Sequence, residues 1–326
     1  MLPQGRILCL IIVVVKTKRR FAVLQSDIEK KLTKNDALFR NIHVLQQRFD
    51  ILPDEKEHIG AFIEYQDIAE LRESFLYELF DTIVDWAYND DKYHMLEEQY
   101  QSEGKSQSAA ASQIMRKVKQ KFRRGSDGNL LIQGQFGELL LFHFIQRFMK
   151  AAPLLRKMPI TTSAEHERHG VDAIHYCIDD EKNVIVLGEA KAYTSGNFAS
   201  ALNNAISSIL SAYQRYRSEL DLYVHEDFLD DEMNSIANKL LTGKLKNVEV
   251  RLVAVIAYNE SLSIEIDNEE HIRQQIKGII EERFRKYNNA KIDLEQNPIL
   301  KRITYVAFPI WEMRKLLEKF QEMIQL

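Results

Sequence analysis

Two apolar segments that flank a short polar turn constrain the fold of this chain more strongly than any other feature of its sequence. They read VDAIHYCI, at residues 171–178, and NVIVLGEAK, at residues 183–191, and the polar cluster DDEKN joins them. Apolar runs of this length that end in turn-forming residues are typical of β-strands. A short polar connection lets two such strands pair side by side. The sequence therefore predicts an antiparallel β-hairpin over residues 171–191.

Three charged residues lie at the open end of this predicted hairpin. Asp172 begins the first strand, and Glu189 and Lys191 end the second. Residues two apart on a strand point to the same face, and a hairpin places the start of its first strand opposite the end of its second. An unpaired charge in a dry setting is costly. We therefore expect the three side chains to meet at one edge of the sheet, either as a chemical site or as a salt bridge.

A strongly apolar helix precedes the hairpin and carries one more carboxylate. The segment LIQGQFGELLLFHFIQRFMKA, at residues 131–151, is apolar on most sides, which is typical of a buried helix. Glu138 in this helix needs a partner, and we expect it to approach the same edge of the sheet. From residue 133 onward the predicted order is helix, strand, hairpin, helix and strand, followed by further helices and one more strand. This order predicts an α/β fold, in which helices flank a mixed sheet.

These residue types suit metal-dependent hydrolysis of a phosphodiester. Carboxylates that lie close together repel one another unless a cation is present, and hard oxygen ligands favour Mg²⁺, with Mn²⁺ as a substitute. Such an ion lowers the pKa of a bound water and neutralises charge on a phosphate, and a lysine beside it stabilises the transition state. The predicted catalytic residues are Asp172, Glu189, Lys191 and Glu138, and the predicted metal ligands are Asp172, Glu189 and Glu138. The alternative is a Glu–Lys surface pair beside an unrelated aspartate.

A cluster of basic residues precedes the apolar helix. The net charge of −4 gives no global preference for nucleic acid, so binding to DNA must depend on a local patch. Closely spaced cations displace counterions from a phosphate backbone. The predicted nucleic-acid-binding residues are Lys119, Lys121, Arg123 and Arg124. The alternative for this cluster is a solvated helical face.

The N-terminal part of the chain is predicted to be organised differently. Residues 1–26 form an apolar and basic segment whose run ILCLIIVVV is shorter than the roughly 20 residues that a membrane helix needs, and which lacks a cleavage site for secretion. Residues 27–100 are predicted to be mostly helical, and residues 101–128 to be a linker followed by the basic cluster. The two cysteines, Cys9 and Cys177, give no disulfide framework. The cytoplasm is therefore the expected location, with no membrane association.

The charged hairpin and the helix before it resemble the PD-(D/E)xK nuclease superfamily, whose core has the element order αβββαβ. Asp172 matches the aspartate of the motif, and Glu189 and Lys191 match its E-x-K pair. Glu138 matches the helix glutamate that many members add. The resemblance implies that these four residues form a metal-dependent nuclease site.

This resemblance extends from residue 133 to residue 258, with Val171 at a position where proline is common. It implies a restriction-endonuclease-like domain over residues 129–326 that includes the C-terminal helices. More particularly, HGVDAIHY, VIVLGEAK and QGQFGELLL are similar to the HamA nuclease subunits of Hachiman anti-phage systems. That similarity implies a Mg²⁺-dependent DNA endonuclease that a helicase subunit, HamB, restrains and activates. The alternatives are an RNase and a non-catalytic module that retains the nuclease fold and binds nucleic acid or protein.

Overall fold

A seven-stranded mixed β-sheet with helices on both faces forms the centre of this computed structural model. The structure describes residues 25–122, 132–156, 170–195, 197–224 and 231–325. The strands are β1 Ile42–Gln47, β2 His58–Ile63, β3 Tyr65–Gln66, β4 Ala69–Glu70, β5 Ala152–Leu155, β6 Ala173–Asp179, β7 Lys182–Tyr193, β8 Val248–Glu260 and β9 Ile303–Trp311. Strands β3 and β4 form a separate two-stranded sheet.

Helices connect these strands and cover the sheet. They are α1 Asp36–Phe39, α2 Arg72–Asp81, α3 Ile83–Ala87, α4 Asp90–Ser102, α5 Gln107–Lys119, α6 Gln133–Met149, α7 Phe198–Tyr223, α8 Asp231–Leu241, α9 Glu269–Arg285 and α10 Met313–Gln325. A further helical stretch covers residues 25–30.

The strands lie across the sheet in the order β1-β2-β9-β8-β7-β6-β5. Parallel pairing joins β2, β9, β8 and β7 at the centre, and antiparallel pairing adds β1 at one edge and β6 and β5 at the other. Parallel strands that are covered on both faces are apolar along their length, as in β9, where residues 303–310 are all buried. The predicted α/β fold, a mixed sheet flanked by helices, is confirmed.

The predicted hairpin is also confirmed. β6 pairs antiparallel with β7, and Ala173 lies opposite Gly188. The two turn residues between the strands, Asp180 and Glu181, have positive φ angles of 46° and 61°. Two-residue turns of this kind have the twist that paired strands require. The polar turn therefore fixes the register that brings the start of β6 to the last part of β7.

Different helices cover the two faces of the sheet. Helices α7, α8 and α9 pack on the face that carries Ile185 of β7, and α2, α6 and α10 pack on the face that carries Val186. Gly188 shares the face of Val186, and a Cβ atom at Gly188 would lie 2.9 Å from the methyl groups of Leu141 on α6. The glycine therefore allows α6 to pack closely against β7.

The N-terminal region departs from the prediction of a mostly helical segment. Residues 27–100 contain α1 to α3 and most of α4, but they also contain β1 and β2, which extend the central sheet beyond β9. All six residues of β2 are buried. A short apolar run such as HIGAFI cannot be distinguished from part of a buried helix by its periodicity, and its pairing with β9 depends on residues at the other end of the chain.

Within the segment that is predicted to be a linker, residues 107–119 form α5. Ser106 caps this helix by accepting a hydrogen bond from the Ala109 N–H at 3.3 Å. Ala110 and Ile114 lie four residues apart on one face and are buried against α4. The small and polar composition resembles that of a loop, but alanine favours the helix, and the spacing of four gives it a face to bury.

Within the described ranges, no helix combines the length and the apolar character needed to cross a membrane. The apolar run at residues 7–15 lies outside those ranges. What the sequence predicts for that run stays a prediction.

Candidate active site

The hairpin brings Asp172, Glu189 and Lys191 together at the end of β7. Lys191 Nζ donates a hydrogen bond to Glu189 Oε1 at 2.8 Å. The Ala190 N–H, between these two residues, donates to Asp172 Oδ2 at 2.9 Å. The Asp172 carboxylate is therefore bonded to the backbone of β7, and the Glu189 carboxylate is bonded to Lys191. The β7 residues that take part, 189–191, are consecutive.

The unequal length of the two hairpin strands explains the position of Asp172. The pairing with β6 ends where Ala173 lies opposite Gly188, whereas β7 continues to Tyr193. Beyond the last pair, the N–H of the half-buried Ala190 requires another acceptor, because a backbone N–H that loses contact with water without gaining a partner is costly. The Asp172 carboxylate accepts this hydrogen bond and holds the end of β6 against β7.

Burial and charge act in opposite directions on Lys191. Glu189 is only 4% exposed, and the Lys191 side chain is 25% exposed. Burial alone would lower the pKa of Lys191, but the negative charge and the hydrogen bond of Glu189, together with the charge of Asp172, outweigh burial and raise it. Lys191 is therefore a cation at neutral pH.

Glu138 lies on α6, which covers the other face of β7. A Cβ atom added at Gly137, the residue before Glu138, would lie 3.4 Å from the Cβ atoms of Ala190 and Ala192. Because side chains alternate along a strand, Glu189 lies on the opposite face of β7 from these alanines. Glu138 itself is half-buried. Within the residues that the structure describes, no three His, Cys, Asp or Glu side chains are grouped so that they could hold a metal ion. The assignment of Glu138 as a third metal ligand stays a prediction.

The first turn of α6 contacts the end of β7 through Gln133, which the sequence does not single out. The Gln133 side-chain amide donates to the Ala192 carbonyl oxygen, and the Thr194 hydroxyl donates to Gln133 Oε1 at 3.3 Å. This residue fixes the position of α6 beside the candidate site. The available signal was a polar residue at the start of an otherwise apolar helix.

Glu219 of α7 is a second residue that the sequence does not reveal. The Val171 N–H donates to Glu219 Oε2 at 2.8 Å, and a Cβ atom at Gly170 would lie 2.3 Å from Glu219 Oε1. Only glycine permits so close an approach of the carboxylate to the backbone. Glu219 therefore holds the segment that leads directly into Asp172.

The basic cluster lies partly within the described residues. Lys119 and Lys121 are half-buried; Lys119 Nζ lies 5.5 Å from the centroid of the Phe80 ring, and burial lowers the pKa of Lys121. The Lys121 carbonyl oxygen accepts a hydrogen bond from the Gln135 side chain at 3.4 Å, which places this end of the cluster beside the first turn of α6. Arg123 and Arg124 lie outside the described residues. Their part in DNA binding stays a prediction.

His175 is separate from the charged edge, as its position in the strand predicts. It is buried, and its Nδ1 atom lies 3.0 Å from the Ala151 carbonyl oxygen. Burial lowers the pKa of His175 to about 3. This histidine is therefore neutral near pH 7 and belongs to the core.

Comparison with known families gives one match that covers most of the chain. The HamA family model matches residues 37–324, a range that includes β1, β2 and the charged hairpin. No curated protein matches the chain.

Proposed function

The chain belongs to the HamA family, and we propose that it is the metal-dependent DNA endonuclease of a Hachiman system. The family connects the chain with Hachiman anti-phage defence, in a system that includes a partner. The finer proposal is that this chain cleaves DNA as the effector, and that the helicase subunit HamB restrains and activates it. An enzyme of this kind needs a metal-binding edge, a cation and access for DNA.

The observation that carries the proposal is the cluster of Asp172, Glu189 and Lys191 at one end of the sheet. Their geometry, with the lysine 2.8 Å from one carboxylate and the other carboxylate bonded to the strand between them, supports a site built by the hairpin. The order α6, β5, β6, β7, α7 and β8 supports a PD-(D/E)xK core, which has the element order αβββαβ.

The two carboxylates fit Mg²⁺, with Mn²⁺ as a substitute. Mg²⁺ in phosphoryl-transfer sites is commonly held by one or two carboxylates together with water and substrate phosphate, and Asp172 and Glu189 supply two hard oxygen donors. Bound there, the ion would lower the pKa of a water and neutralise charge on the phosphate. Glu138 is the proposed additional ligand.

Lys191 supplies a fixed positive charge to the same edge. Because Glu189 and Asp172 raise its pKa, the ammonium stays protonated while it faces a phosphate. A preorganised cation stabilises the negative charge that grows on the phosphate oxygens in the transition state. The ion pair with Glu189 holds the Lys191 side chain in position for that role.

A matched pair of lysine variants tests the catalytic assignment. Lys191→Ala removes the proposed catalytic cation, and Lys182→Ala removes a lysine on the same strand that also pairs with a glutamate, Glu249, at 2.8 Å. Each protein is incubated with plasmid DNA and Mg²⁺, with and without the helicase subunit. We expect Lys191→Ala to lose cleavage by at least about 100-fold and Lys182→Ala to cleave like the unmodified chain. Equal nicking by Lys191→Ala and the unmodified chain under activating conditions would contradict the proposal.

A non-catalytic role is the second candidate, and the internal pairing of Lys191 with Glu189 is the observation that favours it. A purely structural ion pair binds no metal. Calorimetric titration of the chain and of Asp172→Ala with Mn²⁺ separates the two functions, because a metal site that Asp172→Ala loses argues for the enzyme. Cleavage of RNA in place of DNA, measured in the same plasmid assay with an RNA substrate added, would instead assign an RNase.

A further inference from the structure

The loop that follows β8 exposes apolar side chains within an acidic surrounding. Residues 261–268 read SLSIEIDN, and α9 begins with two more glutamates. We define the acidic–apolar surface as Ile68, Leu262, Glu265, Ile266, Asp267 and Glu270. We propose that it is the docking site for the protein partner of this chain, through a basic surface of that partner that carries apolar side chains. The inference deepens the proposed function and rests on its partner.

Exposure distinguishes this surface from the rest of the molecule. Six large apolar side chains are exposed within the described ranges, and three of them lie here: Ile68 at 46%, Leu262 at 40% and Ile266 at 50%. Ile264, in the same loop, packs against the core. Exposed apolar residues that cluster within a polar rim are characteristic of protein-binding sites.

Hydrogen bonds hold the loop in its exposed conformation. Leu262 is fixed at both backbone groups: its N–H donates to Glu260 Oε1 at 3.0 Å, and its carbonyl oxygen accepts from Trp311 Nε1 at 2.7 Å. Gln275 similarly bonds both the N–H and the carbonyl oxygen of Glu265, at 2.8 and 3.0 Å. A loop fixed in this way loses little conformational freedom on binding, which favours affinity.

The turn between β3 and β4 adds Ile68 to the surface in a strained conformation. Asp67 and Ile68 have φ angles of 48° and 60°, which β-branched residues such as isoleucine rarely adopt. The Asp67 N–H donates to Glu269 Oε1 at 2.7 Å, so the turn is tied to the start of α9 beside the loop. Strain of this type is retained at ligand-binding sites, where the surrounding structure compensates for it.

Charge indicates the chemistry of the partner. Asp67, Glu265, Asp267 and Glu270 are all exposed, whereas the nearby Arg273 is bonded to Glu64 and Glu269 at 3.0 and 3.1 Å. An acidic surface repels the phosphates of DNA. It would also repel a second copy of this chain, because a symmetric contact brings like surfaces together. A basic protein surface is complementary to it.

The position of the surface connects docking with the candidate active site. β7 and β8 are parallel, Lys191 pairs with Ile256, and β8 ends four residues later at Glu260, where the loop begins. The acidic–apolar surface therefore lies at the same end of the sheet as the charged edge. A protein bound there would lie at the same end of the sheet as Lys191.

The test measures binding of the purified chain to the purified helicase subunit by calorimetry, at low and at high salt. Leu262→Ser with Ile266→Ser removes the apolar centre, and the matched control Met95→Ser with Leu222→Ser removes two apolar side chains that are 48% and 70% exposed elsewhere. We expect the first double variant to weaken binding about 30-fold or more and the control to bind within about twofold. Glu265→Lys with Glu270→Lys should weaken binding about tenfold and reduce its salt dependence.

Thermal unfolding of each variant shows whether the fold is retained, and the plasmid assay measures catalysis separately. Equal binding by the Leu262/Ile266 variant and the unmodified chain overturns the proposed surface and leaves the nuclease proposal intact. If the unmodified chain self-associates and this variant abolishes the self-association, the surface is assigned to a second copy of the chain. That result also overturns the inference. Failure of the helicase subunit to bind the unmodified chain overturns the partner in the proposed function and this docking site together, whereas cleavage that depends on Lys191 is unaffected.

Discussion

The ion pair between Lys191 and Glu189 places a positive charge beside a carboxylate that is proposed to bind a metal ion. The Glu189 side chain is 6% exposed, and its Oε1 atom accepts from Lys191 Nζ at 2.8 Å. A metal ion that approaches the same carboxylate meets the positive charge of the ammonium at close range. Lysine and metal therefore oppose each other electrostatically at this site, even though the proposed chemistry needs both.

Removal of that lysine is expected to separate metal binding from catalysis. Lys191→Met keeps most of the side-chain volume but removes the charge, so Mn²⁺ should bind Glu189 and Asp172 several-fold more tightly while DNA cleavage is lost. Calorimetric titration with Mn²⁺ measures the affinity. Lys182→Met, on the same strand, should leave the affinity for Mn²⁺ unchanged. Weaker Mn²⁺ binding by Lys191→Met would show that the lysine supports the metal site.

Glu219 is expected to act on the site through the segment before Asp172. Glu219→Ala removes a charge-assisted hydrogen bond to the Val171 N–H, which should lower the free energy of unfolding by about 1.5–3 kcal/mol and weaken Mn²⁺ binding. Glu219→Gln keeps an acceptor oxygen and should restore most of both quantities. Urea unfolding and Mn²⁺ calorimetry measure them. A loss of stability without any change in Mn²⁺ affinity would leave Glu219 with a structural role alone.

The residues that the sequence identifies are those whose signal is local. Asp172, Glu189 and Lys191 lie within one hairpin, so strand alternation and one turn are enough to bring them together. Glu219 contacts the same segment from a helix that follows β7, and nothing in the sequence predicts where that helix crosses the sheet. For Glu138 the pattern specifies a helix but not which face of β7 that helix covers.

Among the elements, the hairpin has a local sequence signal, whereas the pairing of the N-terminal strands depends on distant residues. The turn residues between β6 and β7 are adjacent in sequence and impose their pairing. The pairing of Ile59 in β2 with Val306 in β9 joins residues from opposite ends of the chain, and no local pattern predicts it. The apolar periodicity of α5 is similarly hidden by its small and polar residues, since the partner that makes Ala110 a core residue is α4.

The end of α5 and the residues after it are expected to bind DNA as a unit. Replacement of the basic cluster by alanine should weaken DNA binding and reduce the slope of log affinity against log salt by about 0.9 for each DNA phosphate that the protein no longer neutralises. The cluster variant replaces Lys119, Lys121, Arg123 and Arg124. A matched variant replaces four exposed lysines in or near α8 and the starts of β8 and β9: Lys239, Lys244, Lys246 and Lys301. Fluorescence anisotropy at several salt concentrations measures the slopes. Equal slopes for the two variants would indicate that the basic cluster is a solvated helical face that does not bind DNA.

For the whole molecule, three buried histidines link stability to pH. His58 of β2, His143 of α6 and His175 of β6 are at most 1% exposed. Burial, which disfavours the charged imidazolium, lowers the pKa of His58 to about 4 and those of His143 and His175 to about 3. His143 also joins two N-terminal elements to α6, since its Nε2 atom lies 2.7 Å from Thr82 Oγ1 and its Nδ1 atom 3.3 Å from Asn35 Nδ2.

The direction of this pH dependence follows from the protons that each state binds. In the unfolded chain a histidine has a pKa near 6.5 and takes up a proton as the pH falls below that value, while the folded chain keeps all three neutral down to about pH 4. The unfolded state therefore binds more protons between pH 6.5 and pH 4, and stability is lost as the pH falls. Burial opposes a low pKa for Glu64, but hydrogen bonds from His43, the Tyr65 N–H and Arg273 lower it to about 2. Glu64 therefore reduces the free energy of unfolding only at still lower pH, where glutamates of the unfolded chain become protonated. The interval from pH 7 to pH 5 lies above that range, and within it the difference between the unmodified chain and a histidine variant reports the contribution of that histidine.

The free energy of unfolding in urea is expected to fall by about 2 kcal/mol for each buried histidine between pH 7 and pH 5. His143→Gln retains groups that are able to bond Thr82 and Asn35 but does not titrate, so its loss over the same interval should be smaller by about 2 kcal/mol. His94→Gln, at a histidine whose side chain is 67% exposed, should lose as much as the unmodified chain. A loss that is identical in all three proteins would mean that His143 is protonated in the folded state, and that the polar contacts joining the N-terminal elements to α6 are charged.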